Sequence, residues 1–324
     1  MINRNVLFSV RLGALMLGLS ASLAYAGKIE TVGQFASGEG VVAMLDGESI
    51  FFADAYRAKL IDAQLDTVGN SGTWGRVRHG IHSPTLARME YVYTKDGRTL
   101  RRVYHARSGP AMEVVLSRYD FSPSTDASAG ESSANESEGS RPYEISDEDI
   151  AKDFAERVYY PADTPFNVRV PNLPLRSDSV IQSRLVGGKD THKADAELKI
   201  FRQIEADIND GIVTRGGTLT GYVSKAMCES CGPASEDLAE HFDINGTIQQ
   251  LVERDKNTVA LDPALEASHT SSEALKNSRK AYASKHFRRN AVTDPGKRSW
   301  IGLDSVKALE AEEAGSKAIE PCGD

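Results

Sequence analysis

The sequence predicts an α/β protein: a mixed β-sheet with helices packed on it, plus a smaller α+β region ahead of it. Three observations predict this. From residue 146 onward, stretches of helical period and stretches of strand period follow one another, as in one sheet with covering helices. Residues 122–141 hold almost no large apolar side chain. They cannot bury enough surface to offset their ordering entropy, so they read as a flexible linker. Ahead of that linker, a helix and a hairpin stand out.

The elements follow in order. Residues 1–26 read as a signal peptide. Arg4 and Arg11 give a basic start, an apolar run follows, and Ala24-Tyr25-Ala26 is a small-residue cleavage pattern. The run is short and no basic stop-transfer cluster follows it, so no stable membrane span is expected after cleavage. The expected destination is periplasmic or secreted. Residues 27–121 form the smaller α+β region. Within it, residues 47–66 have a helical pattern. Residues 87–106 read as a β-hairpin, because Met89, Tyr91 and Tyr93 alternate and Asp96-Gly97 supplies the turn. His79, His82 and His105 have no metal spacing and read as isolated surface histidines.

After the linker, residues 142–262 form the second unit. Residues 146–158 are a helix capped by Ser146, with Ile150, Phe154 and Val158 recurring every fourth position. Residues 166–170 alternate as a strand, and 179–188 read as another, closed by Gly187-Gly188. Residues 191–210 are a helix whose apolar stripe is Phe201, Ile204 and Ile208. Residues 217–227 are a strand, 228–242 a helix and 246–252 a strand. Residues 263–324 form a basic, helical or disordered tail. From Lys276 to Arg298 it carries one acid, Asp294, and Tyr282 and Phe287 lie among its cations, a composition able to track phosphates and stack bases.

The roughly 300 residues beyond the leader allow about two domains. A net charge of -8 argues against capture of nucleic acid by the whole surface, though not by a local basic patch. Three cysteines are too few for a disulfide scaffold. Cys228 and Cys231 form a close pair, and Cys322 lies in the tail.

Glu197 points the same way as the buried stripe of its helix, since Phe201, Ile204 and Ile208 are four, seven and eleven residues on. Asp195 and Glu197 occupy one helix start after a strand, and the cysteine pair occupies the next. Helices adjacent on one sheet would bring the two starts together. A helix N-terminus favours anions. Three ligands, Asp195, Cys228 and Cys231, would leave a fourth position on Zn²⁺ for water, the mark of a catalytic zinc. Glu197 would reach that water without being a ligand and move its protons. His192 is an alternative third ligand.

At these residues the chain resembles the zinc-dependent cytidine deaminase-like superfamily. That family carries a His/Cys-x-Glu motif on one helix start and Pro-Cys-x-x-Cys on the next. Here they read Asp195-Ala196-Glu197 and Met227-Cys228-Glu229-Ser230-Cys231, about thirty residues apart. Within the superfamily the chain looks most like the divergent deaminase domains of bacterial toxins and secreted effectors. The resemblance implies zinc as cofactor and hydrolytic deamination of cytosine or adenine in nucleic acid or a nucleotide. Glu197 would carry protons from water to the ring nitrogen and then to the leaving ammonia. It also implies an immunity protein as partner, and Asn172 is a candidate for sugar or base contact. The sequence departs from the motif in two places. Asp195 replaces a neutral or thiolate ligand, which makes the metal centre more negative. Met227 replaces proline. Two further readings stay open: a periplasmic thiol–disulfide oxidoreductase using Cys228 and Cys231, and a catalytically inactive binding module of the same fold.

Overall fold

The computed structural model describes residues 27–32, 39–62, 83–109, 163–170, 178–186, 192–251 and 263–286. In chain order the elements are β1 (Ile29–Val32), α1 (Glu39–Asp62), β2 (Leu86–Lys95), β3 (Arg98–Arg107), β4 (Asn167–Arg169), α2 (Ala196–Asn209), β5 (Thr218–Val223), α3 (Cys231–Phe242), β6 (Asn245–Gln250) and α4 (Pro263–His286).

The hairpin is at the heart of the sheet. Asp96 and Gly97 both adopt positive φ, 52° and 73°, the backbone of a two-residue turn whose twist matches its strands. β2 then pairs antiparallel with β3 on one side and with β5 on the other. β6 and β1 extend the sheet in parallel beyond β5, and β4 lies parallel to β3, giving the order β1-β6-β5-β2-β3-β4. The parallel β5–β6 pair requires a crossover, and α3 supplies it.

Alternation along β2 sends the two faces to different cores. Ala87, Met89, Tyr91 and Tyr93 pack with Leu198, Phe201 and Ile204 of α2 and Leu238 and Phe242 of α3. Leu86, on the opposite face, joins Val41, Leu45 and Phe52 of α1, Leu251, and Leu275 of α4. The result is a mixed sheet between two helical layers. β5 and β6 approach closely at Gly246, where a Cβ would run into the Leu219 carbonyl.

Three expectations need correction. Residues 27–121 do not stand apart as a smaller region. β2 uses both edges, one for β3 and one for β5 from beyond the linker, and the α1–α4 core spans the same divide. Of the strand expected at 179–188, the described residues 179–186 do not make a ladder strand. Among residues 178–186 only Val186 forms an isolated bridge. The Glu205 carboxylate takes the Val180 N–H (2.7 Å) and the Ser179 hydroxyl, and Arg202 donates to the Ile181 carbonyl, so side chains replace a neighbouring strand. His105 is not a surface histidine. It is fully buried, with Nε2 3.0 Å from Asn167 Oδ1.

Of the tail, only residues 263–286 are described. α4 is helical, but Arg279 is buried and donates to the Pro84 carbonyl at 2.9 Å rather than facing solvent. The leader 1–26, the linker 122–141, the helix expected at 146–158, Asn172, His79, His82, Cys322 and the tail beyond His286 lie outside the described residues. Among the described residues no helix is long and apolar enough to cross a membrane.

Candidate metal centre

α2 and α3 pack on the same face of the sheet with their N-termini side by side. Asp195 is the N-cap of α2, in extended backbone (φ -66°, ψ 142°), yet its carboxylate makes no capping hydrogen bond. Helix capping therefore does not account for it. Its Oδ2 instead lies 2.8 Å from His192 Nδ1, 3.1 Å from Cys228 Sγ and 3.5 Å from Cys231 Sγ. The two sulfurs are 3.3 Å apart.

α3 begins at Cys231, with Ser230 as N-cap, not at Cys228 as the periodicity suggested. Cys228 sits in the preceding turn, where its carbonyl accepts the N–H groups of Cys231 and Gly232. The Cys231 N–H also points at Cys228 Sγ, at 3.3 Å. Pro233 falls in the first helical turn, where a missing N–H costs nothing. Ser230 does not cap with its hydroxyl. Its Oγ accepts the Arg184 N–H at 2.8 Å and ties the 178–186 segment to the cysteine turn.

Glu197 lies behind the thiols. It is 3% exposed, and its Oε2 is 4.0 Å from Cys231 Sγ. Burial, and then the charge of Asp195, push its carboxyl up to about 8. The Cys231 thiol is also pushed up, first by its hydrogen bond with Cys228, then by burial and by the nearby carboxylates. Groups that oppose one another's ionisation in this way are what a dication would relieve.

His192, Asp195 and Cys228 offer donor atoms that all lie within 4.8 Å of one another, a set that can hold a metal ion. Cys231 Sγ extends the set at the distances given above. Bonds of about 2.0–2.3 Å in a tetrahedron give donor–donor edges of about 3.3–3.8 Å. The Asp195–Cys231 separation matches the roughly 3.5 Å oxygen–sulfur edge of that tetrahedron, whereas the Cys228–Cys231 separation is shorter than the roughly 3.8 Å edge between two sulfurs and the Asp195–Cys228 separation is also short, so the thiols would spread slightly around an ion. The donors fit a borderline-soft dication.

The sequence-derived site residues thus meet: Asp195, Cys228, Cys231 and Glu197 converge, and His192 joins them. Lys199 and Ser230 were missed. Lys199 is almost fully buried and donates from Nζ to the Gly109 carbonyl at 3.1 Å, while the Gly109 N–H donates to the Ala194 carbonyl. These bonds fasten the residues following β3 to the start of α2. The apolar stripe of Phe201, Ile204 and Ile208 gave no sign of this, because it does not include Lys199.

No family model matches the chain, and no curated protein or solved structure matches it.

Proposed function

We propose that this chain is a zinc-dependent hydrolytic deaminase acting on cytosine or adenine in nucleic acid or a nucleotide, exported as a toxin or effector and countered by an immunity protein. The observation that carries the reading is the convergence on one point of Asp195 Oδ2 and both sulfurs, with the buried carboxyl of Glu197 directly behind. Asp195, Cys228 and Cys231 hold the ion, with His192 against Asp195. Bound there, zinc supplies Lewis acidity and a water acidified toward neutral pH.

Glu197 is the proton carrier. Its carboxyl, buried and 4.0 Å from Cys231 Sγ, is placed to accept a proton from a water at the site and to return it. It takes one proton from the attacking water and delivers it to the ring nitrogen, then takes the second from the new hydroxyl on the ring carbon and delivers it to the amino group, which leaves as ammonia as the C–N bond breaks. Its burial excludes bulk water that would otherwise compete for that proton. The mixed sheet with two helix starts side by side is also what the family resemblance implies.

Zinc content and ammonia release test the reading together. The reduced wild-type chain should bind one equivalent of zinc and release ammonia from a nucleoside, nucleotide or polynucleotide. Glu197→Gln should keep the zinc and lose about 10²–10⁴-fold in rate. Asp195→Ala and Cys228→Ser should lose the zinc. Zinc binding with no ammonia from any cytosine- or adenine-bearing substrate would favour the inactive binding module. A metal-free wild type that cycles substrate thiols would favour the oxidoreductase.

A further inference from the structure

We propose that Cys228 and Cys231 form a reversible disulfide incompatible with bound metal, so that oxidation shuts the site and reduction opens it. This rests on the metal-binding part of the reading above and not on deamination. The sulfurs are 3.3 Å apart. A disulfide needs about 2.05 Å, a closure of little more than 1 Å that rotation of the two side chains can supply.

The two thiols differ in access, and that sets the order of events. Cys228 is half-buried and Cys231 is fully buried. The co-reactant is a small-molecule disulfide of the glutathione class. Cys228 gives up its proton and its sulfur attacks one sulfur of the reagent. The reagent's S–S bond breaks, and the departing thiolate takes a proton. Cys231 then gives up its proton and attacks the Cys228 sulfur, releasing the second thiol. Two protein thiols are oxidised and one reagent disulfide is reduced to two thiols. The Cys231 N–H, directed at Cys228 Sγ, stabilises the attacking sulfur.

Closing the bridge removes both sulfur ligands at once. His192 and Asp195 remain, too few donors for a tetrahedral zinc. In an oxidising compartment the chain would be held metal-free, and entry into a reducing one would permit loading.

The test uses the full chain equilibrated in oxidised or reduced glutathione, with thiol labelling, peptide mass mapping and bound zinc as readouts. In oxidised glutathione a linked Cys228–Cys231 peptide should appear and zinc affinity should fall by about 100-fold or more, both reversed by reductant. Cys322→Ser should behave the same way. The proposal is overturned if the oxidised chain keeps its zinc, if the metal-free thiols stay reduced, or if Cys322 supplies the bridge. A chain that binds zinc, releases it on oxidation and deaminates nothing supports this proposal while removing the activity proposed above.

Discussion

Asp195 receives His192 and both cysteines on a single oxygen, so three side chains compete for one acceptor. Such crowding is poorly suited to a structural cap and well suited to a ligand. Glu197 feels the consequence through its raised pKa, and the sign of its pH dependence follows. Unfolded, its carboxyl titrates near 4.5; folded without metal, near 8. The folded state therefore binds this proton more tightly. Its stabilising contribution is complete below about pH 4.5 and is lost as pH rises toward 8, after which it is level. Asp195 and the two thiols face Glu197 and shape the background, so the comparison is with Glu197→Gln. Metal-free wild type should lose stability relative to that variant across this window, by on the order of a few kcal/mol, in urea melts at stepped pH. A flat difference would mean that Glu197 ionises freely and is not shut away from water.

At the scale of elements, α2 is the beam on which the site rests, and it is buried on more than one side. Phe201 and Ile204 face the sheet, while Arg202, Glu205 and Asp207 are also buried and each makes specific bonds. Asp207 accepts the Tyr104 hydroxyl and the Arg102 guanidinium, both at 2.8 Å, which fixes α2 against β3. Glu205 orders residues 179 and 180, and the same segment reaches Ser230 through the Arg184 N–H. Glu205→Ala should therefore cost about 2–4 kcal/mol, since it leaves two donors unpaired in a partly closed environment. It should also speed amide exchange at Val180. Unchanged exchange there would mean that backbone geometry alone holds the segment. These links explain what was legible in the sequence. α2, α3, β5, β6 and the hairpin announce themselves by period and turn chemistry, and the Asp195–Glu197 and Cys228–Cys231 spacings need only that much. The 179–188 segment misled because its composition is strand-like, whereas its partners are side chains some twenty residues on. No local pattern encodes such partners. Cys228 was drawn into the helix because it lies about one helical turn ahead of Cys231, although the helix begins only after the Ser230 N-cap.

At the scale of the molecule, the linker was the least reliable signal. A polar, serine-rich run marks a place where chain need not pack, but it does not say whether the flanking pieces share a core. Here they do. β2 pairs through residues 87–92 with residues 218–223 of β5, and Leu86 packs with Leu251 and Leu275. Without the hairpin, β5 would present a long bare edge and α2 would lose Met89, Tyr91 and Tyr104 from its apolar contact face. Each of those three side chains is fully buried, and each is worth about 1.5–3 kcal/mol when withdrawn from water. That sum is comparable with the whole stability of an ordinary domain, about 5–15 kcal/mol. A fragment beginning at residue 142 should therefore fail to fold, despite containing every proposed metal ligand. Its amide proton spectrum should be narrow, and it should bind zinc no more tightly than an unfolded Cys-x-x-Cys peptide, whereas the chain from residue 27 should show dispersed resonances and a cooperative melt. A folded, zinc-binding fragment from 142 onward would instead make residues 27–121 an accessory to an independent domain, and the shared sheet a matter of docking rather than of folding.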